Sequence, residues 1–316
     1  MAAFSALPGG QRFFTPAPEP SKARTWAVGG TIGGSWVGSS VVLYNVWYRD
    51  FPLGRFQGFN DNAEWLQMDK GGHVLNGYFQ TVWARGLFHW AGQPEAKAVA
   101  YGALTSTVIQ STIEVMDGFS EQWGFSWGDI LANTVGTGMA AGQQLLWEEQ
   151  RITIKLGFGP TNYGNLSDPV LTERARALYG TNPAERLLKD YNGLSYWLSV
   201  NPHSFLAPER QESTWWPAWL NVAAGYGAEN LYGGFENHWC ADGESRPEDC
   251  AGDLITRYEI MRQRQYLFSL DVDFTKIETN KAWLRTVFGV INLIKVPAPA
   301  LEYRQGEGFK GHWVYF

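Results

Sequence analysis

Asp69, Lys70 and His73 stand close together in the run Trp65-Leu-Gln-Met-Asp-Lys-Gly-Gly-His73, which continues through Asn76, Gly77 and Gln80. Positions 69, 73, 76/77 and 80 share one face of a helix. Gln110, Glu114 and Asp117 repeat the pattern at spacings of four and three. Asp129 is followed four residues later by Asn133, with the small Gly136 and Thr137 beyond it. Three consecutive segments therefore each carry a polar stripe within apolar surroundings. Isolated charges there are costly, so the stripes are expected to turn inward and meet around one polar pocket.

In such a pocket His73 would serve as general base, Glu114 or Asp117 as acid or cation ligand, and Lys70 as oxyanion stabiliser. Asp69, Asp129 and Asn133 would bind the ligand. Glu114, Asp117 and Asp129 carry more acid than Lys70 balances, which leaves a protonated carboxylate, a bound divalent cation or a water-filled cleft. The competing reading is structural. Asp69 and Asp129 stand where helix N-termini are capped, and the stripes would then only fix helix register. No organic cofactor is identified, because no phosphate-binding loop, dinucleotide fingerprint, nucleophile elbow or His-x-x-x-His pair occurs.

The elements that must position these residues follow from periodicity. Residues 1–24 are proline-rich and read as an extended arm. Residues 25–48 carry no charge and are long enough to cross a bilayer core of ~30 Å. Their Gly-Gly-Thr-Ile-Gly-Gly-Ser run would allow tight helix contact. Residues 71–91, 95–117 and 127–147 complete a four-helix, membrane-associated bundle over 25–149. From residue 150 the pattern changes. Arg151-Ile-Thr-Ile-Lys-Leu-Gly-Phe alternates with period two, as do stretches at 196–200, 220–227 and 266–275, with short strands at 301–304 and 313–316. Tyr266, Phe268, Leu270, Val272 and Phe274 fall on one face of the clearest strand, and Ser269, Asp271, Asp273 and Thr275 on the other. Residues 170–190 read as a charged surface helix and 281–294 as another helix. The expected class is α+β: a helical bundle, then a mostly antiparallel β region over 150–316, either a partial sheet or a small barrel.

Of the 316 residues 45% are hydrophobic and only 18% charged, so the chain folds rather than staying disordered. Its 16 Trp, 14 Tyr and 18 Phe suit a membrane interface, with membrane lipid as an expected partner. The net charge of −6 excludes a dedicated nucleic-acid binder. A mean hydropathy of −0.25 excludes a chain made mostly of membrane helices. Cys240 and Cys250 are expected to form a disulfide, as in exported proteins, ahead of a metal pair or free thiols. Met1-Ala-Ala-Phe does not open a signal peptide.

Asp69-Lys70-Gly-Gly-His73 with Tyr78, then Glu114-Val-Met-Asp117-Gly-Phe-Ser, then Ser126-Trp-Gly-Asp129-Ile-Leu-Ala-Asn133-Thr-Val-Gly136, resembles the YfiM-like family of predicted periplasmic lipoproteins. The order Asp-Lys-x-x-His, a Glu, then Asp-x-x-Ala-Asn-x-x-Gly is also similar to VanZ-like membrane proteins. The motifs cover about residues 60–147. The stretches from Phe59 and from Lys189 resemble longer members of the first family, which carry a C-terminal extension. No lipobox cysteine stands near the start. The resemblance implies a bacterial envelope address, at the outer membrane or its periplasmic face, with other outer-membrane proteins as expected partners, and implies no reaction.

Overall fold

The amphipathic segments of the first half fold as helices, α1 (Lys22–Leu43), α2 (Met68–Trp90), α3 (Glu95–Gly118) and α4 (Trp127–Trp147). The period-two segments of the second half pair as an antiparallel sheet, so the class is α+β as expected. The computed structural model describes residues 13–45, 49, 53–121, 123–159, 161–241, 250 and 252–316. It divides into two units. The helical unit comprises Met1–Asp61, His73–Arg151 and Phe274–Ile291; the sheet unit comprises Asn62–Gly72, Ile152–Asp273 and Asn292–Phe316.

In the helical unit α2, α3 and α4 approach until backbones touch. A Cβ on Gly77 would lie 2.5 Å from the Asn133 carbonyl oxygen, and one on Gly136 would lie 2.1 Å from that of Val74. Only glycine permits that approach. The Gly77 carbonyl accepts from Thr81 (2.8 Å), Ser106 (3.1 Å) and Thr137 (3.4 Å), so small hydroxyls cement the contact. Tyr78, Phe79, Val99 and Ala140 are buried there.

Helix α1 departs from expectation. Ser21 caps it by accepting from the Arg24 amide, and Arg24 Nη1 holds its foot to the carbonyls of Thr15 (2.8 Å) and Trp90 (3.0 Å). Beyond that, a Cβ on Gly29, Gly30, Gly33, Gly34 or Gly38 would meet no atom within 4 Å, so the glycine run makes no tight contact among the described residues. No described helix is long and apolar enough to cross a membrane. In the segment expected to cross, 25–48, Gly, Ser and Thr dilute the apolar content below what a crossing helix needs; its last three residues lie outside the described chain, as do residues 1–12 of the arm.

The sheet unit is built on β1 (Ile152–Phe158), β2 (Leu194–Val200), β3 (Leu220–Glu229), β6 (Gln263–Val272), β7 (Ala298–Arg304) and β8 (Gly308–Tyr315). They pair in the order β1-β2-β3-β6-β7-β8, all antiparallel. Between β3 and β6 the chain makes the small hairpin β4 (His238–Cys240) and β5 (Leu254–Thr256), which the sequence reading missed. Cys240 is bridged to Cys250, Cα atoms 5.5 Å apart. The sheet is open. The free edge of β1 is taken by residues 293–295, Leu156 donating to the Leu293 carbonyl and accepting from Lys295 (2.8 and 2.9 Å), so the small-barrel alternative does not form.

The expected helix over 170–190 is two helices, α5 (Pro169–Tyr179) and α6 (Pro183–Lys189), with α7 (Pro208–Ser213) further on. Gly180 ends α5 with φ +75°, a left-handed value that glycine tolerates, and Asn182 caps the next helix from its side chain. Helix α8 (Ala282–Ile291) and the turn before it belong to the helical unit, where Lys276 pairs with Glu149 and Trp83 donates to Gly289 (3.3 Å). Residues 62–72 join the sheet unit because Met68, Trp65 and Leu66 pack on Leu194, Ala228 and Leu231.

The faces of the sheet are reversed relative to an ordinary soluble sheet. Lys155, Ser199, Asn221, Ser269, Asp271 and Glu302 are buried on the inner face, around Trp197, Ala223 and Leu267. Tyr266, Phe268, Leu270, Leu301 and Tyr303 are exposed on the other.

Candidate functional site

Each residue of the site is set by a local feature. Ser126 caps α4, its Oγ accepting from the Asp129 amide at 3.1 Å, which places Asp129 in the first helical turn where backbone N–H groups favour an anion. Asn133 follows one turn later. The glycine contact between α2 and α4 brings His73 against both. Glu114 comes from α3, and residues 53–61 run back along 118–125, Gln57 and Phe59 pairing with Gly118 and Phe125, to deliver Asp61.

His73 Nδ1 lies 3.1 Å from Asn133 Oδ1 and 3.7 Å from Glu114 Oε1. His73 Nε2 lies 3.5 Å from Asp129 Oδ1. Glu114 is fully buried and its Oε2 accepts from the Ser126 amide at 3.4 Å. Ser126 Oγ donates to Asp61 Oδ1 at 2.6 Å. The His73 side chain keeps 16% of its exposure, so the imidazole is the reachable member of the group.

Both ring nitrogens face oxygen acceptors, and a neutral imidazole can donate from only one of them. The arrangement suits an imidazole that takes up and releases a proton on its Asp129 side while Asn133 and Glu114 orient the ring. Those same atoms could hold a cation: a nitrogen and an oxygen 3.5 Å apart match two ligands of one tetrahedral ion with bonds of ~2.0–2.2 Å. Two buried amide nitrogens, Asn133 Nδ2 and Gln110 Nε2, have no hydrogen-bond partner among the described residues.

Of the residues singled out by sequence, His73, Glu114, Asp129 and Asn133 meet within the helical unit. Asp117 lies one turn beyond Glu114, half-buried, its carbonyl accepting from the Ser120 amide. Asp69 and Lys70 belong to the sheet unit. There Tyr191 donates to Asp69 at 3.1 Å, and Lys70 Nζ lies 3.2 Å from the same carboxylate. Burial, with the Asp69 charge beside it, pushes the Tyr191 hydroxyl well above its ordinary pKa. Asp61 was missed, because it sits in a stretch without periodicity, and so was Ser126, whose amide donates to Glu114 and whose hydroxyl donates to Asp61.

The sheet unit holds a second polar cluster. Lys155 Nζ meets Asp271 at 2.8 Å, and Asp271 also accepts from Ser199 (2.7 Å) and the Val296 amide (3.1 Å). Lys295 donates to Ser269 (3.3 Å) and lies over the Trp197 ring; burial pushes its pKa down to about 8 against the pull of Asp271. Glu302 accepts from Arg304, His312 (2.5 Å) and Gln265 (2.7 Å). Burial alone would raise its pKa, but those donors hold it below the usual carboxylate value.

No curated protein and no solved structure matches the chain. Residues 57–144, the stretch that contains His73, Glu114, Asp129, Asn133, Asp61 and Ser126, are similar to the family described as "Predicted periplasmic lipoprotein (DUF2279)".

Proposed function

We propose that His73, Glu114, Asp129 and Asn133 form a proton-handling site in a bacterial envelope protein, where a lipid headgroup or another envelope ligand is bound or processed. The observation that carries this is the partly exposed His73 imidazole with carboxylates of Asp129 and Glu114 on opposite nitrogens. His73 acts as general base and acid, Asp129 receives or returns the proton at Nε2, and Glu114 with Asn133 fixes the ring. A divalent cation held by His73 and Asp129 is the alternative occupant of the same position. The envelope address is supported by the similarity over 57–144 and by the Cys240–Cys250 disulfide. An outer-membrane location, and the finer likeness to YfiM-like and VanZ-like proteins, belong to this proposal.

The test uses the full chain with vesicles of phosphatidylethanolamine and phosphatidylglycerol, following release of headgroup and fatty acid. Turnover is expected, and His73→Ala should lower it by about a hundredfold or more at an unchanged urea midpoint. If the wild type neither turns over nor retains headgroup, and His73→Ala only lowers the midpoint, the protein is a scaffold or a subunit of an outer-membrane complex.

A further inference from the structure

We propose that the outward face of β6, β7 and β8 is a lipid-contacting surface, occupied by phospholipid acyl chains of a single bilayer leaflet. This goes beyond the His73 reading and uses none of its residues. A sheet in water turns its apolar side inward; this one buries Ser269 and Asp271 and exposes Tyr266, Phe268 and Leu270 on the same strand. The polar interior is closed by ion pairs and hydrogen bonds such as Lys155 to Asp271, so it does not depend on water at the outer face. That is the polarity of strands that face hydrocarbon.

The outward residues are also ordered in rows. Strand pairing aligns Tyr266 with Tyr303 and Tyr303 with Phe309, and their rings lie 6.4 and 5.1 Å apart. Tyr has an apolar ring and a polar hydroxyl, and rows of it mark the depth at which hydrocarbon meets headgroups. The next positions along the strands are aliphatic or unsubstituted aromatic, Phe268 and Leu301, then Leu270 beside Trp313. Trp313 is 91% exposed. From Tyr266 to Leu270 the strand rises about 13 Å, roughly half of the ~25 Å apolar band of an outer-membrane barrel. The depth fits one leaflet.

Two further observations favour acyl chains. Phe268, Leu270, Leu301 and Trp313 line an open, mainly apolar groove of about 520 Å³, and a mainly apolar lining suits hydrocarbon. Over β2 and β3 the chain covers the same face itself: Tyr226 donates to the Leu66 carbonyl, and Gly71 lies against Tyr196. Over β6 to β8 no described segment does so.

The experiment is flotation of the full chain with phosphatidylethanolamine–phosphatidylglycerol vesicles, together with vesicles carrying brominated acyl chains, which quench Trp on contact. The wild type should float, and the difference between it and Trp313→Phe should show Trp313 quenched. The double variant Phe268→Asp/Leu301→Asp should float about tenfold less or lower still, at unchanged circular dichroism and urea midpoint. His73→Ala should float like the wild type, which separates this proposal from the catalytic one. Failure of the wild type to float, equal flotation of the double variant, or an unquenched Trp313 overturns the proposal. So does a lipid-free dimer that the double variant converts to monomer, for then a second copy covers the face.

Discussion

In the sheet unit Lys155 and Asp271 meet at 2.8 Å with neither side chain exposed at all, and Ser199 and the Val296 amide complete the carboxylate's bonds. In the helical unit His73 stands 3.5 Å from Asp129 and 3.7 Å from Glu114, beyond good hydrogen-bonding distance, and reaches solvent. Both clusters are polar side chains buried in apolar surroundings, yet the Lys155–Asp271 pair is sealed from solvent while the His73 side chain keeps 16% of its exposure. A sealed, short pair is the form a structural charge takes, because each group satisfies the other and little is left to offer a ligand. A reachable imidazole among buried carboxylates is what the proposed proton-handling site requires.

The contrast is testable by breaking each cluster in turn. Asp271→Ala removes the counter-charge of a fully buried ammonium and should cost about 3–5 kcal/mol in urea unfolding; a loss under ~1 kcal/mol would show the pair is not sealed in solution. Glu114→Gln keeps shape and removes charge. It should lower headgroup turnover by about a hundredfold, worth ~2.7 kcal/mol in the barrier, with a small change in the urea midpoint. The opposite result, intact turnover with a large drop in midpoint, would place Glu114 with the structural charges.

Lys295 gives a pH test of the sheet cluster. Its folded-state pKa of about 8 lies below the ordinary ammonium value, so between the two the unfolded chain binds more protons than the folded one. Burying the charged Lys295 is therefore fully costly below about pH 8, and the wild type should gain stability as pH rises from about 8 toward 10. Lys295→Met should be more stable than wild type near pH 7 by roughly 1–3 kcal/mol and lose that advantage near pH 10. Parallel curves for the two proteins would remove the assignment. Ser126→Ala, which deletes the α4 cap and the bond to Asp61, should cost about 1–2 kcal/mol by urea unfolding. A neutral result would mean that Asp61 is held by the 53–61 backbone alone.

Much of the helical site was legible. Spacings of three and four put Glu114 on one helical face and Asp129 with Asn133 on another, and a face is a local property of the helix. Asp69, one turn before His73 on α2, stands on the same stripe, and its carboxylate accepts from Tyr191 and pairs with Lys70. Asp61 was invisible because a loop side chain has no period; only the backbone pairing of 53–61 with 118–125 brings it to Ser126.

By itself the sequence determined the identity of the main elements: three amphipathic helices with polar stripes, the alternating strands, and a cysteine pair near enough to bridge. These follow from local periods and chain proximity. Tertiary structure alone decided that residues 62–72 join the sheet and 274–291 the helices, because those memberships rest on contacts between residues far apart in the chain. It also decided which face of each strand is inside. Alternation at Tyr266, Phe268, Leu270 and Ser269, Asp271 is symmetrical, so a period of two cannot say which set is buried. That choice was made by Lys155 on β1, Ser199 on β2 and Glu302 on β7, whose partners lie on other strands and which could be satisfied only by meeting across the sheet's inner face.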